Sequence, residues 1–276
     1  MSQSGVLAKI AEHTKLRVMS EKRQESQEFL VESLEGENAR RPHDFLKIFT
    51  SKPGPRIIAE VKFASPSEGD IVVGLNPLDV ATQYLSQGAA ALSILTEPDF
   101  FKGSLEYLRT IRNHFPNALL LMKDFVLDEY QLLQARVYGA DAILLIVDML
   151  APSVLSSLYE KALKLGLTPL VEVHNEAELN RAIELKARLI GVNNRNLRTM
   201  EVSLESSVTL SARAPLNCCL ISESGIKTGN DLRRLGSAGY QGFLIGTHFM
   251  RTGEPGASLA RLIGDALSNR VEEQIE

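Results

Sequence analysis

Ile57-Ile58-Ala59-Glu60-Val61-Lys62-Phe63-Ala64-Ser65-Pro66-Ser67-Glu68-Gly69 changes character at its centre. The first half is an apolar run of the kind a buried strand presents. The second half is turn chemistry, with Ser, Pro and Gly ending the strand. Glu60 and Lys62 stand where the two meet. Residues i and i+2 of a strand point to one face, so this carboxylate and ammonium share a side. A charged pair closing a buried strand is costly unless it faces a polar mouth. Taken alone, the pair reads equally well as a surface salt bridge at a strand end. The rest of the chain decides between the two.

From Ile57 onward, short apolar runs alternate with amphipathic runs of helix length. The strand candidates are Ile57–Lys62, Ala91–Thr96, Leu119–Lys123, Ala142–Val147, Thr168–Val173, Leu189–Asn193, Cys218–Ser222 and Gly242–Ile245. Near-continuous apolar strands are expected where helices cover both faces of a parallel sheet. Between them, Leu78–Leu85, Leu105–Phe115, Glu129–Tyr138, Val154–Leu165, Ala177–Leu185 and Asn230–Ala238 carry helical spacing. Asn76-Pro77, Asp128, Asn175 and Thr228 supply N-caps, and Gly88, Gly139, Gly166 and Gly239 supply stops. Eight strands in strict alternation with helices predict a (β/α)8 TIM barrel. A doubly wound open sheet is the alternative, but no G-x-G-x-x-G follows any strand. Residues 1–50 predict an N-terminal helical extension, with Val6, Leu7, Ile10, Ala11 and later Phe29, Leu30, Leu34 at helical spacing. It is expected to pack over the barrel mouth, with residues 51–276 forming the barrel of a single domain.

In such a barrel the active site lies at the carboxyl ends of the strands. Those ends carry Glu60, Lys62 and Ser65; Thr96, Glu97 and Asp99; Lys123 and Asp124; Asp148; Glu172 and His174; Asn193, Asn194 and Arg195; Ser222, Glu223, Ser224 and Gly225; and Gly246, Thr247 and His248. One solvated strand end needs no explanation, but polar ends on every strand of an uncharged interior mark a site. Two lysines among three glutamates suit proton traffic, since each charge holds the other ionised. Lys123, emerging from Leu119-Leu120-Leu121-Met122, reads either as a general acid or as a Schiff-base nucleophile. Loops after the last two strands of such barrels commonly bind phosphate on glycine amides. Gly225 and Gly246 fit that use, with Ser65 and Thr247 as hydroxyl donors. His174, beside Glu172, lacks a third metal ligand and reads as a packing or hydrogen-bonding residue, and His248 as a rim residue. Asp124 and Asp148 read as partners of neighbouring lysines or loop amides.

Composition narrows the classes. The 276 residues carry a formal net charge of −4, which argues against a nucleic-acid binder. No apolar run approaches the roughly 20 residues of a membrane helix, and the N-terminal 50 residues are charged rather than signal-like. The adjacent Cys218 and Cys219, the only cysteines, suit neither a useful bridge nor a metal set and are expected in a reducing cytoplasm.

Six ordered motifs carry a family likeness: Ile58-Ala-Glu-Val-Lys with Ala64-Ser-Pro-Ser, Leu121-Met-Lys-Asp-Phe125, Leu170-Val-Glu-Val-His174, Ile190-Gly-Val-Asn-Asn-Arg-Asn-Leu197, Ser222-Glu-Ser-Gly-Ile226 and Phe243-Leu-Ile-Gly246. Over about residues 5–265 the chain resembles indole-3-glycerol phosphate synthase, N-terminal extension included. The resemblance implies closure of the indole ring of 1-(2-carboxyphenylamino)-1-deoxyribulose 5-phosphate, with loss of carbon dioxide and water, in tryptophan biosynthesis. It implies no metal and no organic cofactor. By the same resemblance, Lys123 is the general acid on the substrate carbonyl and Glu172 the acid/base of dehydration and aromatisation. Lys62 holds the substrate carboxylate and is a second candidate proton donor. Glu60, Asn193 and Glu223 position the lysines and substrate hydroxyls, and Arg195 is an orienting ion-pair partner. Ser65, Ser224, Gly225, Gly246 and Thr247 take the sugar and phosphate, while Phe125 and Leu197 wall the aromatic ring. Phe63 and Glu68 depart from the pattern, standing where many members carry lysine. The expected partner is a phosphorylated small molecule, with neither nucleic acid nor membrane; the chain is expected as a monomer, with a weak homodimer as the alternative. The competing functions are a sugar-phosphate isomerase of the phosphoribosylanthranilate isomerase type and a non-catalytic sugar-phosphate sensor. The set Lys62, Lys123 and Glu172 favours the synthase, because an isomerase needs no carboxylate-binding lysine and binding alone needs no lysines facing glutamates.

Overall fold

The computed structural model of the protein describes residues 5–35, 40–51, 54–196 and 199–272. Eight parallel strands close into one barrel: β1 Arg56–Val61, β2 Ala91–Leu95, β3 Leu120–Lys123, β4 Ala142–Ile146, β5 Thr168–Val173, β6 Leu189–Asn193, β7 Cys219–Glu223 and β8 Gly242–Ile245. Closure is made by β1, which pairs with β2 on one side and β8 on the other. The alternation of the sequence thus gives the predicted TIM barrel. One boundary matters for the site: β7 begins at Cys219, not Cys218, and ends on Glu223. The Cys218 amide is already used by the Pro215 carbonyl of the preceding turn.

The six predicted helices form, each within two residues of its expected bounds. Asp128 and Thr228 make capping boxes with Gln131 and Asp231, and Asn76 and Asn175 cap by their side chains. Gly139 ends its helix at φ 98°, where a Cβ would also strike the Arg112 side chain at 2.6 Å. Further helices were not legible in the sequence, among them Pro98–Phe101, Glu205–Ser211, Thr247–Met250 and Pro255–Glu272. Glu205–Ser211 is poor in helix formers; it is anchored from outside, since the Asn194 side chain accepts from the Ser207 amide and Tyr240 donates to the Ser207 carbonyl.

Strand residues divide by parity. Ile57, Ala59, Val61, Leu92, Ile94, Val171 and Val173 face the helices. Ile58, Ala91, Leu121, Leu144, Leu170, Leu189 and Ile221 fill the barrel interior. That interior is continued by Phe45, Leu46 and Phe49 at one end and by Leu7 and Ala11 at the other. Gly242 gives Phe49 its place, because a Cβ there would lie 2.5 Å from its ring.

The N-terminal extension therefore has three parts. Helix α1, Gly5–Gln24, lies at the mouth; α2, Gln27–Glu35, packs on Glu129–Tyr138; residues 40–50 plug the opposite end. Arg17 of α1 donates to Asp124 at 2.6 Å, and Lys22 to Asp128 at 2.8 Å. At the opposite end the wholly buried Asp141 accepts from Arg40, Arg112 and the amides of His43 and Leu120. No helix among the described residues is long and apolar enough to cross a membrane.

Candidate active site

Parity carries the interior face of each strand up to the mouth, and there apolar residues give way to charged ones. Glu60, Lys123, Glu172, Asn193 and Glu223 continue the inward-facing positions, and Lys62 follows β1 on the same face. They open on a cavity of about 860 Å³. Each of the thirteen predicted site residues that is described lines this cavity; Leu197 lies outside the described residues.

At the centre, Lys123 Nζ donates to Glu223 Oε2 at 2.6 Å and to Glu172 Oε2 at 3.2 Å. Lys62 Nζ pairs with Glu60 Oε2 at 2.8 Å. Asn193 Nδ2 donates to Glu172 Oε1 at 3.2 Å. Burial pulls the Lys123 proton affinity down, but Glu223, Glu172 and Glu60 outweigh it and hold the ammonium above its ordinary range. For Glu172, burial works upward, yet Lys123, His174 and Asn193 hold the carboxyl well below the usual range. Glu223 goes the other way. Burial pushes it up, Lys123 pulls it down, and the neighbouring Glu172 and Glu60 leave it at about 7. With Lys62 turned to Glu60, the Lys123 ammonium is shared between two buried carboxylates, and the deficit falls on Glu223. A lysine held protonated in this way is an acid rather than a nucleophile, which favours the general-acid reading over the Schiff base.

Two glycines make room for these carboxylates. A Cβ on Gly191 would lie 2.1 Å from Glu223 Oε1, and one on Gly246 would lie 2.3 Å from Glu60 Oε2. Gly246, expected to free its backbone for phosphate, thus also frees the space that Glu60 occupies. Ser224 and Gly225 come next in the chain after Glu223 at φ 66° and 85°, turning the backbone into the cavity. Asn194 holds this turn by donating to the Ser222 hydroxyl and the carbonyls of Glu223 and Ser224.

Several strand-end residues have other work. Glu97 is an N-cap, accepting from the amides of Asp99, Phe100 and Phe101. Asp124 is partnered by Arg17, Thr96 and the Phe125 amide, not by a lysine. Arg195 makes no ion pair among the described residues; its guanidinium donates to the Met200 carbonyl, and its amide to Asn193 Oδ1. Glu68 pairs with Arg251 between the neighbouring loops after β1 and β8 at 2.7 Å. His174 stands between Glu172 and Glu178.

On the side of β2 and β3, Phe125 meets Phe101 with ring centroids 5.9 Å apart, and Leu7 and Ile10 of α1 close the same cavity. Sequence reasoning missed Phe101, although Glu97-Pro98 is a helix-start signature that would have turned the next residues inward. The apolar stripe of Leu7 and Ile10, expected over the barrel mouth, does line the cavity there. The site therefore has an apolar wall on one side, glycine-rich turns on the other, and a charged floor of two lysines and three glutamates between them.

Comparison with known proteins gives one family. A family model described as indole-3-glycerol phosphate synthase matches residues 7–262. An indole-3-glycerol phosphate synthase of Polaromonas sp. is 47% identical over 218 residues, covering 79% of this chain and 81% of its relative. One of Chloroherpeton thalassium is 44% identical over 243 residues, covering 87% and 92%. Among solved structures, 3-hexulose-6-phosphate synthase from Salmonella typhimurium superposes with a TM-score of 0.63 at 11% identity, over 77% of this chain and 99% of the other. That likeness is one of fold.

Proposed function

The chain belongs to the indole-3-glycerol phosphate synthase family, and from that membership we propose how its residues divide the reaction. The reaction is the decarboxylating, dehydrating ring closure of 1-(2-carboxyphenylamino)-1-deoxyribulose 5-phosphate to indole-3-glycerol phosphate in tryptophan biosynthesis, a lyase chemistry. The substrate spans the mouth. Its phosphate goes to the turn of Ser224 and Gly225, with Ser65, Gly246 and Thr247 beside it. Its benzoate ring goes to the wall of Phe125 and Phe101. The carbonyl between them then lies over Lys123.

The observation that carries this reading is the Lys123 ammonium held at 2.6 Å and 3.2 Å by two carboxylates at the cavity floor. As the carboxyl-bearing ring carbon attacks the ketone, Lys123 gives its proton to the carbonyl oxygen. Carbon dioxide then leaves, and its electron pair restores the aromatic ring. Lys62, fixed by Glu60, faces the carboxylate until that step. Lys62, freed of the carboxylate, next gives its proton to the new hydroxyl, which departs as water, while Glu172 takes the proton whose loss closes the pyrrole double bond. Glu223 and Asn193 hold Lys123 and Glu172 in place throughout. Arg195 shapes the loop after β6. The two buried unpaired cysteines fit a cytoplasmic location.

The test is turnover of the carboxyphenylamino-deoxyribulose phosphate, followed by indole fluorescence, in the parent and in Lys123→Ala. Loss of a general acid is expected to lower kcat by about 10²–10⁴-fold with KM little changed. A variant with parental kcat would move the acid role to Lys62.

A further inference from the structure

His174 does not line the cavity; it stands behind Glu172, its side chain only 10% exposed. Nδ1 lies 3.0 Å from Glu178 Oε2, and Nε2 lies 3.2 Å from Glu172 Oε1. The second contact is not aligned as a hydrogen bond, so it acts through charge. Glu178 is fixed independently of the ring. It accepts from the His174 amide at 2.9 Å and from Asn175 Nδ2, and its own amide is capped by Asn175 Oδ1. A carboxylate so held has one orientation, and it turns the imidazole with it.

We propose that His174, held as a cation by Glu178, is a positioning residue that fixes the charge and orientation of Glu172. This rests on the reading of Glu172 as the group that takes the proton. The carboxylate has cations on both sides, Lys123 at Oε2 and His174 at Oε1, with Asn193 sharing Oε1. It enters the reaction ionised and with its plane set. Burial works against a charged imidazole, but the two carboxylates outweigh it and raise its pKa to about 10. The other charges nearby do not compete for the ring. Arg181, on the helix of Glu178, is turned to the carbonyls of Val147 and Leu150. Asp148, in the turn packed on that helix, forms no ion pair among the described residues. Lys123 and Glu223 act on Glu172 from its far side.

The experiment measures kcat and KM from neutral pH down to the acid limit of folding for the full chain and for His174→Gln, Glu178→Gln and Glu172→Gln, on the carboxyphenylamino-deoxyribulose phosphate. Without its second cation, Glu172 gains proton affinity. In H174Q the acidic limb of kcat is expected to move up by about one pH unit, a tenfold loss at the foot of the limb. KM is expected to stay within about twofold. E178Q should move the same limb in the same direction by less. Nitrogen NMR of the parent at about pH 8 should show both ring nitrogens of His174 protonated, a state that E178Q weakens. Parental kcat and pH profile in H174Q, with E172Q inactive, overturn the proposal and leave the Glu172 assignment intact. Parental turnover in E172Q overturns both. If H174Q does not fold, a neutral imidazole in the parent, or an unmoved limb in E178Q, overturns the proposal.

Discussion

Glu223 is the residue on which the charge balance of the site is settled. Its carboxyl touches Lys123 at 2.6 Å, yet burial and two neighbouring carboxylates raise it from 4.5 to about 7. Oε1 is buried with no partner, as suits a carboxyl that carries a proton near neutrality. Between pH 4.5 and 7 the folded chain holds a proton there that the unfolded chain has released. Stability contributed by this group therefore falls as pH rises through that window and levels off above it. Glu223→Gln is expected to melt higher than the parent above the window, by the equivalent of about 1–3 kcal/mol, with the gain vanishing towards its lower edge. Melting temperatures across pH check this, and a gain that grows on acidification would contradict it. The sequence shows Glu223 at a strand end, but not that Gly191 leaves it room or that two other carboxylates crowd it.

Helix α1 is tied to the barrel by polar contacts that its amphipathic pattern does not announce. Arg17, its side chain 11% exposed, reaches the buried Asp124, 107 residues away. Removing one partner of such a pair strands the other charge, at a cost of about 3 kcal/mol. Arg17→Met is expected to lose that much in urea unfolding, and Asp124→Asn in the same chain to restore part of it. Independent, additive losses would show that the pair does not couple α1 to the barrel. Because Asp124 directly follows Lys123, this pair also fixes the chain at the end of β3.

Across the whole molecule, one mouth is built from both ends of the chain. Leu7 and Ile10 come from α1, and Thr247 from the loop after the last strand. This supports a lid role for α1, whereas residues 40–50, with Phe45 and Phe49 buried at the opposite end, belong to the barrel core. A test of the lid must therefore leave residues 40–50 intact. Leu7→Ala with Ile10→Ala is expected to raise KM about tenfold while kcat changes little, since the lost contacts are apolar walls rather than reacting groups. A change confined to kcat would instead place α1 in the chemistry.

The barrel itself is written in the amino-acid order, because eight strands covered on both faces leave an apolar signature at every turn of the repeat. So is the charged ring, because parity forces Glu60 and Lys62 onto one face and barrel geometry puts every strand end on one rim. Which of those polar residues meet is settled by tertiary packing alone. Glu97 became a cap, Asp124 went to an arginine from α1, and His174 took its place behind Glu172. The Lys123 pairings join residues 49 and 100 positions apart, and no local pattern encodes such distances. The balance of charge among Lys123, Glu172 and Glu223 is likewise a property of burial, which one strand cannot reveal until the ring is closed.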